Sequence, residues 1–188
     1  MVRGSGKRMD RETIRHAGPI RESYWVVEGK LLAGGYPAAH SDIEARARLA
    51  RFLDAGVRTF VDLTEESEPL RNYDDVLGPL SAERGISCKH LRFAIPNRGV
   101  PSADLLAQVM TTIRQEIDEG RPVYVHCWGG IGRTGTIIGC WLVEQGMSGE
   151  EALGQIAHLR RDTADRFQAS PETDEQRRCI CEWKRENE

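Results

Sequence analysis

Long apolar runs are missing from this sequence, and no stretch approaches the roughly 18 residues that a membrane span requires. The chain is therefore expected neither to cross a bilayer nor to take a membrane partner. The basic start, MVRGSGKRMDRETIRHAG, also has no apolar segment. It does not read as a secretory signal, and a cytoplasmic location is the expectation that follows. Cysteine is sparse: Cys88, Cys127, Cys140, Cys179 and Cys181 make five, an odd number without framework spacing, which suits reduced thiols better than disulfides. Cys179-x-Cys181 is too tight for the usual zinc spacing and has no His partners, so it reads as structural and no metal is expected. Nor is there a basic excess: the net charge is −3, which argues against a nucleic-acid partner. Internal repeats and low-complexity segments are absent. What remains is 39% hydrophobic and 29% charged over 188 residues, the makeup of one globular domain able to bury about two thirds of its unfolded surface. A monomer without cofactor is expected.

Residues 1–22 carry no sustained period and read as a mobile polar arm, leaving 23–188 for the domain. Tyr24-Trp25-Val26-Val27 and Leu31-Leu32-Ala33 read as two strands about Gly29, closed by Gly34-Gly35-Tyr36-Pro37. Ser41-Asp42-Ile43-Glu44 is a capping box opening a helix over about 42–55, with Ile43, Ala47, Ala50 and Leu53 at helical spacing. Val57 to Leu63 reads as an inner parallel strand. Its carboxyl end opens into the acidic stretch Thr64-Glu65-Glu66-Ser67-Glu68, either a solvated loop or one facing a ligand. A helix interrupted near Gly78-Pro79 and a strand over 86–93 follow. Ser102 then caps a helix with Leu106, Val109, Ile113 and Ile117 on its apolar face. Beyond residue 134 the pattern gives three more helices. Ser148-Gly149-Glu150-Glu151 caps the second, and Ser170-Pro171-Glu172 opens the last, in which Gln176 reads as helical surface. Strands alternating with helices imply an α/β fold with a mainly parallel sheet covered on both faces.

The stretch Val123 to Thr136, VYVHCWGGIGRTGT, organises the rest. A β-rich run ends at His126-Cys127, passes through a loop holding Gly129, Gly130 and Gly132, and resumes as a helix at Arg133-Thr134. Glycine lets successive backbone N–H groups turn toward one point, and the helix adds its partial positive N-terminus, so the loop is a cradle for an anion of roughly phosphate size. Cys127 stands at its mouth, where these dipoles and Arg133 favour the nucleophilic thiolate. A guanidinium six residues on can hold two phosphate oxygens in a way that lysine cannot.

His126-Cys127-x5-Arg133-Thr134 resembles the signature of the protein tyrosine phosphatase superfamily, and the compact chain most resembles its dual-specificity-like branch. The resemblance implies a cysteine phosphatase fold and a metal-independent phosphatase whose substrate is a phosphorylated protein or a small phosphomonoester. Cys127 would attack phosphorus to give a phosphocysteine, while Trp128, Gly129, Gly130, Ile131, Gly132 and Arg133 would hold the phosphoryl group. It further implies that Thr134 hydrogen-bonds the sulfur and that His126 orders the loop beneath it. Trp128 reads equally as pocket rim or core, and analogy with distant relatives offers Gln176 as a water-positioning residue against its reading as helical surface. The proton donor departs from the pattern: Asn97, in the turn-rich stretch Ile95-Pro96-Asn97-Arg98-Gly99-Val100-Pro101, stands where relatives carry an aspartic acid. An amide cannot protonate a leaving alkoxide. Three readings stay open: a weakened enzyme, a substitute acid among Asp104, Glu65 and Glu66, or substrates whose leaving groups need no acid. The alternative function is a phosphate-binding pseudophosphatase that recognises phosphorylated partners.

Overall fold

Alternation along each strand decides how the layers stack, because successive side chains point to opposite faces of a sheet. The computed structural model describes residues 17–184. In it β1 (Ser23–Val27), β2 (Leu31–Gly34), β3 (Thr59–Asp62), β4 (Lys89–Arg92) and β5 (Val123–His126) form one five-stranded sheet in the order β1-β2-β5-β3-β4. β1 runs antiparallel to β2, and every other pairing is parallel. Val61, Val123 and Val125 face one core together with Leu106, Ile113, Ile137 and Ile156. Phe60, Tyr124 and Leu32 face a second core with Leu49, Phe52 and Leu77. So α1 (Asp42–Asp54) and α2 (Asp74–Glu83) cover one face, while α3 (Ala103–Asp118), α4 (Gly132–Glu144), α5 (Gly149–Leu159) and α6 (Asp174–Glu182) cover the other. This is the mainly parallel, doubly covered α/β sheet that the sequence implies.

Several local expectations are corrected. α1 buries Ala45, Leu49, Phe52 and Leu53, a stripe rotated from the expected one, and leaves Ile43 exposed. α2 runs unbroken through Pro79. The residue before it is Gly78, which has no Cβ to clash with the proline ring, and the Ser81 hydroxyl donates to the Gly78 carbonyl at 2.9 Å. β3 and β4 are shorter than their apolar runs suggest. Pro171 lies before α6 rather than at its first position. Thr173 caps that helix, its hydroxyl accepting from the Gln176 N–H while the Gln176 side chain accepts from the Thr173 N–H. Residues 17–22 also belong with the fold. Ala17 bridges Tyr24, Ile20 is buried, and the Ser23 hydroxyl donates to the Ile20 carbonyl at 2.9 Å. The remainder of the expected arm, residues 1–16, lies outside the described residues.

The parallel register sets Gly34, His126, Asp62 and Arg92 side by side at the carboxyl ends of β2, β5, β3 and β4. The loops leaving these four ends meet there, with the loop from the central strand β5 in the middle. Open α/β sheets bind ligands at that edge.

Candidate active site

β5 delivers Cys127 to a cavity of about 250 Å³ that is also lined by Asn97, Arg98, Trp128, Gly129, Ile131, Gly132, Arg133, Gln168 and Glu172. The loop 127–131 leads into α4, whose N-cap, Ile131, supplies no side-chain hydrogen bond to the first turn. The leading N–H groups of the helix are therefore left to an anion, together with the positive end of its dipole. Gly130 makes the turn at φ +72°, and a Cβ there would stand 2.3 Å from the Gly34 carbonyl carbon. Any other residue at position 130 would push the loop off the β2 end. The Trp128 carbonyl accepts from the Tyr36 N–H at 2.8 Å, tying the loop to the same connection. With Trp128 46% exposed, its ring is rim and not core.

Arg133 is almost wholly buried and joins three loops. Its guanidinium donates to the Ile95 carbonyl at 3.1 Å, to the Leu63 carbonyl at 3.3 Å, and to both carboxylate oxygens of Glu68, one of them at 3.0 Å. Burial pushes this guanidinium down, but Glu68 and Cys127 outweigh it and leave Arg133 above its ordinary value. Burial likewise raises the Glu68 carboxyl, and the hydrogen bonds from Arg133 and the Glu65 N–H more than reverse it. Glu68 thus aims the arginine across the cavity floor. Sequence reasoning flagged the acidic stretch without finding its key member. The available signal was that the stretch leaves the carboxyl end of β3.

Beneath the loop lies a second buried polar group. His126 is fully buried, with Nε2 2.8 Å from the Tyr73 hydroxyl and Nδ1 3.8 Å from Asp62 Oδ1. Burial pushes its pKa down to about 4, outweighing the pull of Asp62 and of the Cys127 backbone, so the ring is neutral at pH 7. Asp62 accepts from the Thr64 N–H at 2.9 Å and from the Thr64 hydroxyl at 2.7 Å, and its other oxygen meets His90 and Arg92, each at 3.1 Å. Burial alone would raise this carboxyl, but the hydrogen bond from His90 and those from Thr64 hold it far below the usual range. Asp62 therefore fixes the start of the loop that carries Glu68.

The remaining expected residues fall in different places. The Thr134 hydroxyl, in the first turn of α4, donates to the Gly34 carbonyl at 3.3 Å rather than to sulfur. Asn97 lines the cavity, and its N–H donates to Glu65 Oε2 at 3.3 Å. Asp104 and Glu66 are exposed and do not line the cavity. Gln176 is fully buried, contrary to its reading as helical surface. Its Oε1 accepts from the Glu172 and Thr173 N–H groups, and its Nε2 donates to the Gly99 carbonyl at 2.9 Å. The sequence favours helical surface because the residues adjacent to Gln176 in α6 are charged. Among the described residues, no three or more His, Cys, Asp or Glu side chains gather as metal ligands.

Residues 20–182 match the family model described as a Swiss Army Knife protein, DSP-PTPase phosphatase domain. The chain belongs to this phosphatase family. It is 28% identical over 127 residues to the putative tyrosine phosphatase 067L of Invertebrate iridescent virus 3, a match covering 65% of this chain and 46% of that protein. It is 39% identical over 72 residues to the human receptor-type tyrosine-protein phosphatase H, covering 36% of this chain and 6% of the receptor. The chain thus spans less than half the length of either relative. Among solved structures, a crystal structure of a mutant form of Tk-PTP superposes with a TM-score of 0.65 at 25% identity, covering 87% of this chain and 95% of that one. The α/β fold with its mainly parallel sheet is therefore common ground. No helix among the described residues is long and apolar enough to cross a membrane.

Proposed function

We propose that this protein is a cysteine-dependent phosphatase that hydrolyses phosphotyrosine or another phosphomonoester through a phosphocysteine intermediate. The observation that carries the reading is the convergence of Cys127 and Arg133 on one cavity, at the mouth of an uncapped helix N-terminus. In the first step the Cys127 sulfur attacks phosphorus and the bond to the leaving oxygen breaks. The loop N–H groups and Arg133, aimed by Glu68, hold the equatorial oxygens as charge shifts among them. In the second step water displaces sulfur. Nucleophile and clamp both come from the chain, so the proposed reaction needs no metal. Neutral His126 and the Thr134 hydroxyl support the loop from below. The tyrosine phosphatases among the relatives support the substrate class. One observation favours a phosphate-binding pseudophosphatase instead: Asn97 offers an amide to the cavity where a carboxyl would be expected.

The test is phosphate release from an aryl and an alkyl phosphomonoester, with Cys127→Ser as control. The phosphatase reading expects turnover of the aryl ester that the substitution abolishes, while phosphate or vanadate binding survives because the cradle is mostly backbone. Binding without turnover in the unsubstituted protein would establish the pseudophosphatase.

A further inference from the structure

Thiolate chemistry of this kind needs a proton for the leaving oxygen and a group to take one from the attacking water, and Asn97 can do neither. Of the side chains lining the cavity, one is a carboxylate: Glu172. One of its oxygens pairs with Arg98 at 2.9 Å. The other faces the phosphate loop, since a Cβ on Gly132 would stand 3.2 Å from it.

The segment carrying Glu172 is fixed from several sides. The Ser170 hydroxyl donates to the Ile131 carbonyl of the loop at 2.7 Å. The Glu172 N–H donates to Gln176 Oε1 at 3.1 Å, and Gln176 in turn holds the Gly99 carbonyl. Arg98, which reaches over to the carboxylate, adopts φ +62°. That left-handed conformation is uncommon for a non-glycine residue, and such outliers persist where the surroundings over-determine them. A strained arginine thus spans the cavity mouth from the Asn97 loop to an acid preceding α6.

We propose that Glu172 is the catalytic acid and base of this site, with Arg98 as its positioning residue. This rests on the phosphatase reading given above. In the first step the Cys127 thiolate forms the S–P bond, the P–O bond to the leaving group breaks, and the Glu172 carboxyl, having taken a proton from solvent in exchange for its pairing with Arg98, gives that proton to the departing oxygen. In the second, water forms a P–O bond, the S–P bond breaks to return the thiolate, and the Glu172 carboxylate takes the water proton. The products are the alcohol or phenol and inorganic phosphate, and Glu172 ends protonated as it began. Asn97, beside it, can orient the water by hydrogen bonding.

The experiment is rapid-mixing kinetics of the full chain and its Glu172→Gln and Glu172→Asp variants on an aryl and an alkyl phosphate. Inorganic phosphate binding is measured alongside. With the aryl ester, Glu172→Gln is expected to keep its first-turnover burst but to lose steady-state rate by roughly 10² to 10⁴, because the second step has lost its base. With the alkyl ester the burst falls as well, and the rate loses its dependence on an ionising carboxyl. Glu172→Asp restores part of the rate, and phosphate binding is unchanged in both variants. Steady-state rates of Glu172→Gln within about threefold of the unsubstituted protein would overturn the proposal. Loss of phosphate binding in step with activity would also overturn it, by showing a structural role. An unsubstituted protein with neither burst nor turnover would refute the phosphatase reading itself, and this proposal with it.

Discussion

The floor of the cavity and its lip are built on different principles. The floor consists of Arg133, Glu68, Asp62, His126 and Tyr73, on β3, β5 and the segments that follow them, with these side chains hydrogen-bonded to one another or to neighbouring groups such as Thr64 and Arg92. The lip consists of Asn97, Arg98, Gln168 and Glu172, on the β4–α3 and α5–α6 connections, and it is joined by a half-exposed ion pair and the buried Gln176. A buried hydrogen-bonded network holds its geometry because breaking a bond strands a polar group away from water, and here only His126 Nδ1, of the floor's buried side-chain polar atoms, goes without a hydrogen-bond partner. Solvent-exposed pairs are worth much less. In the proposed reaction the floor would therefore hold a phosphoryl group of invariant shape, while the lip would handle protons and whatever carries the phosphate.

Substitutions should separate the two regions. Apart from Cys127 and Glu172, the largest effect is expected at the floor. Arg133→Lys should lower kcat/KM for an aryl phosphate by about 10² to 10³, since a point charge cannot replace a two-pronged clamp and also leaves Glu68 half-paired. Steady-state kinetics with a phosphate titration would check this, and a change below tenfold would make the floor less exacting than described. At the lip, Gln176→Leu should cost about 1 to 3 kcal/mol of unfolding free energy in a denaturant titration, because it strands the Gly99 carbonyl and opens the α6 capping box. Its kinetic signature should be lost turnover with phosphate binding retained.

The smallest effect is expected at His90, on the outer side of the floor. Burial pushes its pKa down, but the hydrogen bonds to Asp62 and Asp74 outweigh burial and leave it raised. A pKa raised on folding stabilises the fold fully below the unfolded value of about 6.5, and the contribution fades as pH rises through the folded value. His90→Gln should therefore cost about 1 kcal/mol in mildly acidic buffer and progressively less in alkaline buffer. Thermal melts across that range would show it. A penalty that grows with pH would contradict the charged pairing.

The two regions also differed in how much of them the sequence revealed. The strand, glycine loop and helix around Cys127 are contiguous, so periodicity and turn chemistry sufficed to bring Cys127, the glycines and Arg133 together at one loop. The floor partners are separated from that loop by long stretches of chain. Glu68 lay in a stretch already flagged, and it became specific only when the β3–β5 register brought Leu63 and Glu68 against Arg133. Glu172 gave no sign as a cavity residue and Gln176 only a weak one, because α6 is short and polar and the approach of the segment before it to Gly132 is a tertiary fact. Strand ends and the buried stripe of α1 also moved by a few residues, since burial there is decided by neighbouring helices rather than by the local pattern.

The most direct test of the whole account is chemical trapping. The unsubstituted protein and its Glu172→Gln variant would be mixed rapidly with an aryl phosphate, quenched, digested and mapped by mass spectrometry. The account expects one phosphoryl group on the peptide containing Cys127, present at higher occupancy in the variant because its second step is slow. A phosphoryl group on any other residue, or turnover that proceeds unabated in Cys127→Ser, would contradict it.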